Sequence, residues 1–197
     1  MKILVLGAGG AVGSHLVNEA LERGHEVTRG VRPHVDATDG ASIAAAAAGH
    51  DVVVSAVISR SEPETVVHVA HALLAGLEQA GVSRLVVVGG AGTLETPEGG
   101  RVMDLEDFNP DYRAEAMAHL DALHGLQAAE TPVVWSVVTP PRQFDESGRT
   151  ASYRIGHNEL LLDAGGKSRI SLEDFAAAVL DEAETQQHAR RRFRVAY

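Results

Sequence analysis

The chain has 197 residues, enough for one α/β domain with a substantial core. Apolar residues make up 45% of it, aromatics 4%, and cysteine is absent, which excludes disulfides, thiolate catalysis and cysteine metal sites. A formal net charge of -10 argues against general affinity for nucleic acid or an anionic membrane, and the run Arg190-Arg191-Arg192 is too short to reverse that.

Lys2 to Leu6 reads as a buried strand that runs into a glycine-rich turn, followed by a helix from about Ala11 to Arg23 that Gly24 stops. His25 to Arg29 reads as a second strand. After an alanine-rich helix at Ala44 to Ala48 come a strand at Asp51 to Ser55, a helix at Glu62 to Ala80 ended by Gly81, and a strand at Arg84 to Val88. Asp111 to Ala129 is helical in pattern and Pro132 to Val138 is again a strand. Beyond Pro140 the pattern loosens: Ser152 to Ile155 reads as a short strand. Ser171 caps a helix, with Asp174 three residues on, that runs to about Thr185, and Phe193 to Ala196 closes with a strand.

This alternation predicts a Rossmann-type, doubly wound parallel sheet flanked by helices, with a small C-terminal α+β extension, in one domain over residues 1–197. No run is long and apolar enough to span a bilayer, and no signal peptide precedes the first strand, so a cytoplasmic monomer or homodimer is expected. One stretch departs from the scheme. Only Pro33, His34 and Val35 separate Arg32 from Asp36, whereas a crossover with its helix needs about 10 residues or more. Either the crossover has collapsed, or a mobile segment is missing from the chain.

Gly7, Gly10 and Gly13 stand at G-x-x-G-x-x-G spacing between a strand and a helix. Gly7 permits the tight turn, Gly10 lets backbone approach a pyrophosphate, and Gly13 lets the helix lie close to the strand. Ala11 and Val12 open the helix, whose free N–H groups and positive dipole end suit phosphates. The pattern predicts a nicotinamide dinucleotide. Where NAD binders carry an acid after the second strand, this chain has Arg29 and Arg32, and an arginine there can pair with a 2′-phosphate, so NADP(H) is expected over NAD(H).

Several segments resemble the atypical short-chain dehydrogenase/reductases, and within them the small NADH–flavin reductase group related to biliverdin reductase B and NmrA-like proteins. They are Lys2 to Gly13, Gly24-His25-Glu26-Val27-Thr28, Val35-Asp36-Ala37-Thr38-Asp39, Val87 to Leu94, Ser152 to Gly156, Ile170 to Ala176 and Arg192 to Tyr197. The resemblance covers nearly the whole chain. It implies that Asp36 lies beside the adenine and that the acceptor is a flavin, FMN or FAD, or a similar flat ring. The chain departs from the group at the shortened crossover and at Val35, where the group has glycine.

The larger superfamily moves a proton with a Tyr-x-x-x-Lys dyad. The only lysines here are Lys2 and Lys167, Tyr112 is followed four places on by Ala116, and Tyr153 by His157. Hydride transfer to a stacked flavin does not need that dyad, because placement and exclusion of water suffice. In such sheets ligands bind outside the carboxyl ends of the strands. Ser55, Ala56 and Val57 are therefore expected on the cofactor floor, and Thr93 and Arg142 are the catalytic candidates, with Arg142 meeting an anionic substrate group. His68 and His71, three apart on a helix, have no third ligand nearby, and His119 and His124, five apart, diverge on a helix; all read as solvated or partly packed, so no metal is expected. The competing reading is a regulator of NmrA-like type that binds NAD(P) without turnover.

Overall fold

The computed structural model describes residues 1–197. Its strands are β1 (Lys2–Leu6), β2 (Glu26–Gly30), β3 (Val52–Ser55), β4 (Arg84–Val88), β5 (Val134–Thr139), β6 (Gln143–Asp145), β7 (Arg154–Gly156), β8 (Arg169–Ser171) and β9 (Arg191–Ala196). The helices are α1 (Ala11–Glu22), α2 (Gly40–Ala47), α3 (Thr65–Ala80), α4 (Arg113–Ala128) and α5 (Leu172–Thr185). Seven strands form one sheet in the order β2-β1-β3-β4-β5-β9-β7, parallel except for β7, while β6 and β8 pair apart from it.

Each central strand alternates its side chains between two apolar layers. Ile3, Val5, Val52, Val54, Val86 and Val88 pack with Leu16, Phe175 and Val179 on the α1 and α5 face. Leu4, Leu6, Val53, Leu85 and Trp135 pack with Ile43, Leu73, Leu77 and Leu123 under α2, α3 and α4. Both faces are thus covered, as the low aromatic and high Val, Leu and Ala content favours. Helix ends follow local chemistry. The Asp39 carboxylate accepts from Ala41 N–H at the start of α2, Ser171 Oγ accepts from Asp174 N–H at the start of α5, and Gly81 ends α3 in the left-handed region.

The short link after Arg32 is spanned by a turn and a helix. Val31 to Val35 forms a tight turn, with His34 and Val35 N–H both donating to the Val31 carbonyl. α2 then carries the chain across β1 to β3 on its other side. One helix–strand unit of the doubly wound scheme is absent, so β2 is the sheet edge. The order still reverses at β1, which lies between β2 and β3, and this switch point opens a crevice at the carboxyl ends of β1 and β3.

Several boundaries move, most of all that of α2, which was expected at Ala44 to Ala48 and spans Gly40–Ala47, and two strands are added. The helix expected from Glu62 begins at Thr65, and the one expected from Asp111 begins at Arg113, after a 3-10 turn whose N-cap Asn109 accepts from Asp111 N–H. The three-residue strands β6 and β8 are too short to leave a periodic signature.

Candidate active site

The turn after β1 is built by close contacts of bare backbone. Gly7 has φ 77°, and a β-carbon there would meet the Ala56 carbonyl oxygen at 2.7 Å. A β-carbon on Gly13 would fall 2.0 Å from the Gly7 carbonyl oxygen. Gly9 and Gly10 differ: their nearest protein neighbours would be 3.8 and 3.4 Å away, ordinary contact, and both residues line the crevice. Gly10 is the N-cap of α1, with no side-chain cap and no acid in the first turn, so the positive end of the helix faces the crevice unneutralised.

The crevice has two chambers. The first, about 890 Å³ including its open mouth, runs between Gly7, Gly10, Arg32, Asp36, Ala56 and Val57. Asp36 Oδ1 accepts from both the hydroxyl (2.7 Å) and the N–H (2.9 Å) of Thr38, which, with Arg32 nearby, holds its carboxyl below the usual range. Arg32 and Asp36 are both exposed at the wall of this chamber.

Ile58 lines both chambers. The second, about 1240 Å³ with its mouth, is floored by Gly89 to Gly92 after β4 and walled by Val12, Tyr112, Glu115, His119, Arg142 and Phe144, among others. Ile58, Tyr112 and Phe144 are large apolar or aromatic side chains left exposed there, a surface suited to a flat ring.

Of the residues expected to serve the cofactor, Gly7, Gly10, Arg32, Asp36, Ala56 and Val57 come together in the first chamber, and Val12 lies at the second. Ala11 opens α1 and Gly13 sits against Gly7, so both shape the turn. Ser55 is a correction: it is buried at the end of β3 beside an enclosed hollow and does not line the crevice. Thr93 is a second. Only 3% of it is exposed, its hydroxyl donates to the Gly90 carbonyl (2.8 Å) and accepts from Arg192 Nη1 (3.0 Å), and it lines neither chamber. Its hydroxyl is committed to holding the turn after β4. Arg142 lines the second chamber, where Nη2 donates to Asp107 Oδ2 at 2.9 Å.

His119 corrects the expectation of a solvated or partly packed side chain in a different way. It is 7% exposed, lines the second chamber, and lies so close to Gly90 that a β-carbon there would meet its ring at 2.7 Å. Burial pushes its pKa down to about 4, so the imidazole is neutral. Nε2 stands 3.9 Å from Glu115 Oε1, beyond hydrogen-bond reach. The signal was present in the sequence: positions 116, 119, 120 and 123 form one helical stripe, and all four are buried. Asp107, Phe108 and Asn109, which wall the second chamber, carried no periodic signal, and Tyr112 beside them fell within the helix expected from Asp111. Tyr153 is remote from this chemistry, its hydroxyl donating to Asp181. Lys2 and Lys167 line neither chamber.

A switch-point crevice over a glycine turn with an uncapped helix end defines an NAD(P)H-binding protein of Rossmann type with an oxidoreductase-like fold. The chain belongs to the NAD(P)H-binding family, whose model matches residues 33–183. It is 37% identical to the Bacillus subtilis protein YwnB over 209 residues, spanning 99% of this chain and 98% of that one. A Burkholderia pseudomallei structure, provisionally named an exported protein, is 41% identical with a TM-score of 0.92, covering all of both chains. A Streptococcus pneumoniae structure bearing the provisional name NADH-flavin reductase is 28% identical with a TM-score of 0.86, covering 100% of this chain and 99% of that one. No helix of the chain is long and apolar enough to cross a membrane.

Proposed function

We propose that the protein transfers hydride from a reduced nicotinamide dinucleotide, NADP(H) in preference to NAD(H), directly to a flavin or similar flat acceptor. The observation that carries this reading is the pair of neighbouring chambers, both lined by Ile58. One lies along the crevice-lining Gly9 and Gly10, whose lack of side chains no protein neighbour demands. The other is floored by Gly89 to Gly92 and walled by exposed apolar groups. The dinucleotide extends along the first, its pyrophosphate on the α1 N-terminus and its 2′-phosphate at Arg32, and so delivers the nicotinamide at Val12 and Ile58. The acceptor lies over the glycine floor. No Tyr–Lys dyad reaches the crevice, which suits ring-to-ring hydride transfer and disfavours carbonyl or epimerase chemistry that depends on such a dyad. Arg142 orients the acceptor. Thr93 acts only through the turn it holds. The cytoplasm is the compartment that fits, because reduced nicotinamide nucleotides are kept there.

Calorimetric titration with NADPH and NADH, followed by NADPH oxidation with and without FMN, tests the reading. Binding with flavin-dependent oxidation supports it. Binding without turnover of any flavin decides for the sensor, which the missing dyad also suits, and binding of neither nucleotide overturns both.

A further inference from the structure

We infer that the second chamber is built for an acceptor that carries a phosphate monoester, as FMN does and riboflavin does not, with Arg60 and Arg142 as its ligands. This rests on the reductase reading and sharpens its substrate class.

Arg60 and Arg142 are the only arginines or lysines lining the chamber, and His119, buried and neutral, adds no charge. The two arginines enter from opposite sides of β4, Arg60 on the connection from β3 to α3 and Arg142 just after β5. Each is parked on a carboxylate of the chamber wall. Arg60 Nε is 3.5 Å from Glu115 Oε2, with its guanidinium 5.1 Å from the Tyr112 ring centre, and Arg142 Nη2 is 2.9 Å from Asp107 Oδ2. The Arg60 contact is long, Arg60 is 66% exposed and Asp107 68%, and pairs of that kind hold weakly. A phosphate monoester near −2 offers three oxygens to planar guanidinium forks, against one exposed carboxylate at Asp107 and one long contact to the more buried Glu115. Ile58, Phe108 and Phe144 line the same chamber and offer apolar surface for the ring.

The test compares FMN with riboflavin by quenching of flavin fluorescence on the full-length protein, so that binding is read without turnover. FMN is expected to bind roughly tenfold or more tightly than riboflavin at low ionic strength, and inorganic phosphate is expected to compete with FMN alone. R60Q and R142Q should each narrow the FMN-to-riboflavin ratio. E115Q and D107N, which release the arginines, should widen it. A purely structural role predicts that all four substitutions weaken both flavins alike, and that result overturns the inference, as does equal affinity for the two flavins or binding of neither. If R60Q weakens NADPH binding and leaves the ratio unchanged, Arg60 serves the nucleotide and the inference fails. Loss of turnover with a preserved FMN preference would instead sink the reductase reading and leave the phosphate site standing.

Discussion

Gly13 rests on Gly7: a β-carbon added to Gly13 would lie 2.0 Å from the Gly7 carbonyl oxygen, a distance no side chain survives. Gly10, three residues earlier, carries no such constraint. The two glycines therefore separate fold from ligand. Gly13→Ala is expected to destabilise by about 1–3 kcal/mol or more through overpacking, read as a fall in Tm of roughly 2–4 °C per kcal/mol. Gly10→Ala should leave Tm within about 2–4 °C, since loss of a glycine N-cap costs no more than about 1 kcal/mol, while NADPH affinity falls roughly tenfold or more as the new methyl group blocks the pyrophosphate. Unchanged nucleotide affinity in Gly10→Ala would remove the turn from the binding site.

Arg32 is exposed on the first chamber's wall, on the same turn as Asp36. A charged hydrogen bond to a 2′-phosphate is worth about 1.5–3 kcal/mol. Arg32→Gln should weaken NADPH by roughly tenfold or more and leave NADH within about twofold, because NADH lacks that phosphate. Calorimetry with both nucleotides checks this, and equal losses for the two would place Arg32 on a shared part of the cofactor.

His119 gives the protein an acid-sensitive element. Its folded pKa, about 4, lies below the ordinary value of 6.5, so the unfolded chain takes up the proton first as pH falls. The stability it permits is fully present above pH 6.5 and is lost progressively down to about pH 4, by about 3 kcal/mol. His119→Gln keeps a polar group but cannot titrate. Urea midpoints of the two proteins should therefore converge as pH falls over that window, and parallel curves would show that His119 is protonated without cost.

Arg84, on β4, reaches below the sheet to a buried partner at the C-terminal end of α5. Its Nη2 donates to Glu182 Oε1 at 2.6 Å, and both Nη1 and Nη2 donate to Ser136 Oγ at 3.1 Å. His188 Nδ1 lies 2.8 Å from Glu182 Oε2. With so many donors around it, the Glu182 carboxyl stays ionised well below its ordinary pKa. Arg84→Met strands that charge, and breaking such a pair costs about 3–5 kcal/mol. Arg84→Met combined with Glu182→Leu should recover much of the loss in urea unfolding. Equal destabilisation by the single and double variants would show that packing, and not charge, governs the site.

What the sequence alone determined was the part written in local rules. The alternation of strand and helix, the glycine spacing at 7, 10 and 13, the stop at Gly81 and the cap at Ser171 are all set by residues a few positions apart. So was the shortened link after Arg32, although only the path of α2 across β1 showed that β2 is left at the sheet edge. The second chamber was decided by tertiary structure. Its walls come from Val12, Ile58, Gly89, Asp107, Glu115 and Arg142, which lie far apart in the chain and meet only when β1, β3, β4 and β5 align in register. Whether a polar side chain faces ligand or is spent on the protein is decided there as well. Thr93 looked like a site residue until Gly90 and Arg192 claimed its hydroxyl, and His119, read as solvated or partly packed, is turned by α4 onto Gly90. A helical stripe can mark which face is buried, as at His119, but hydrogen-bond pairing depends on neighbours brought in by folding, and no periodicity records it.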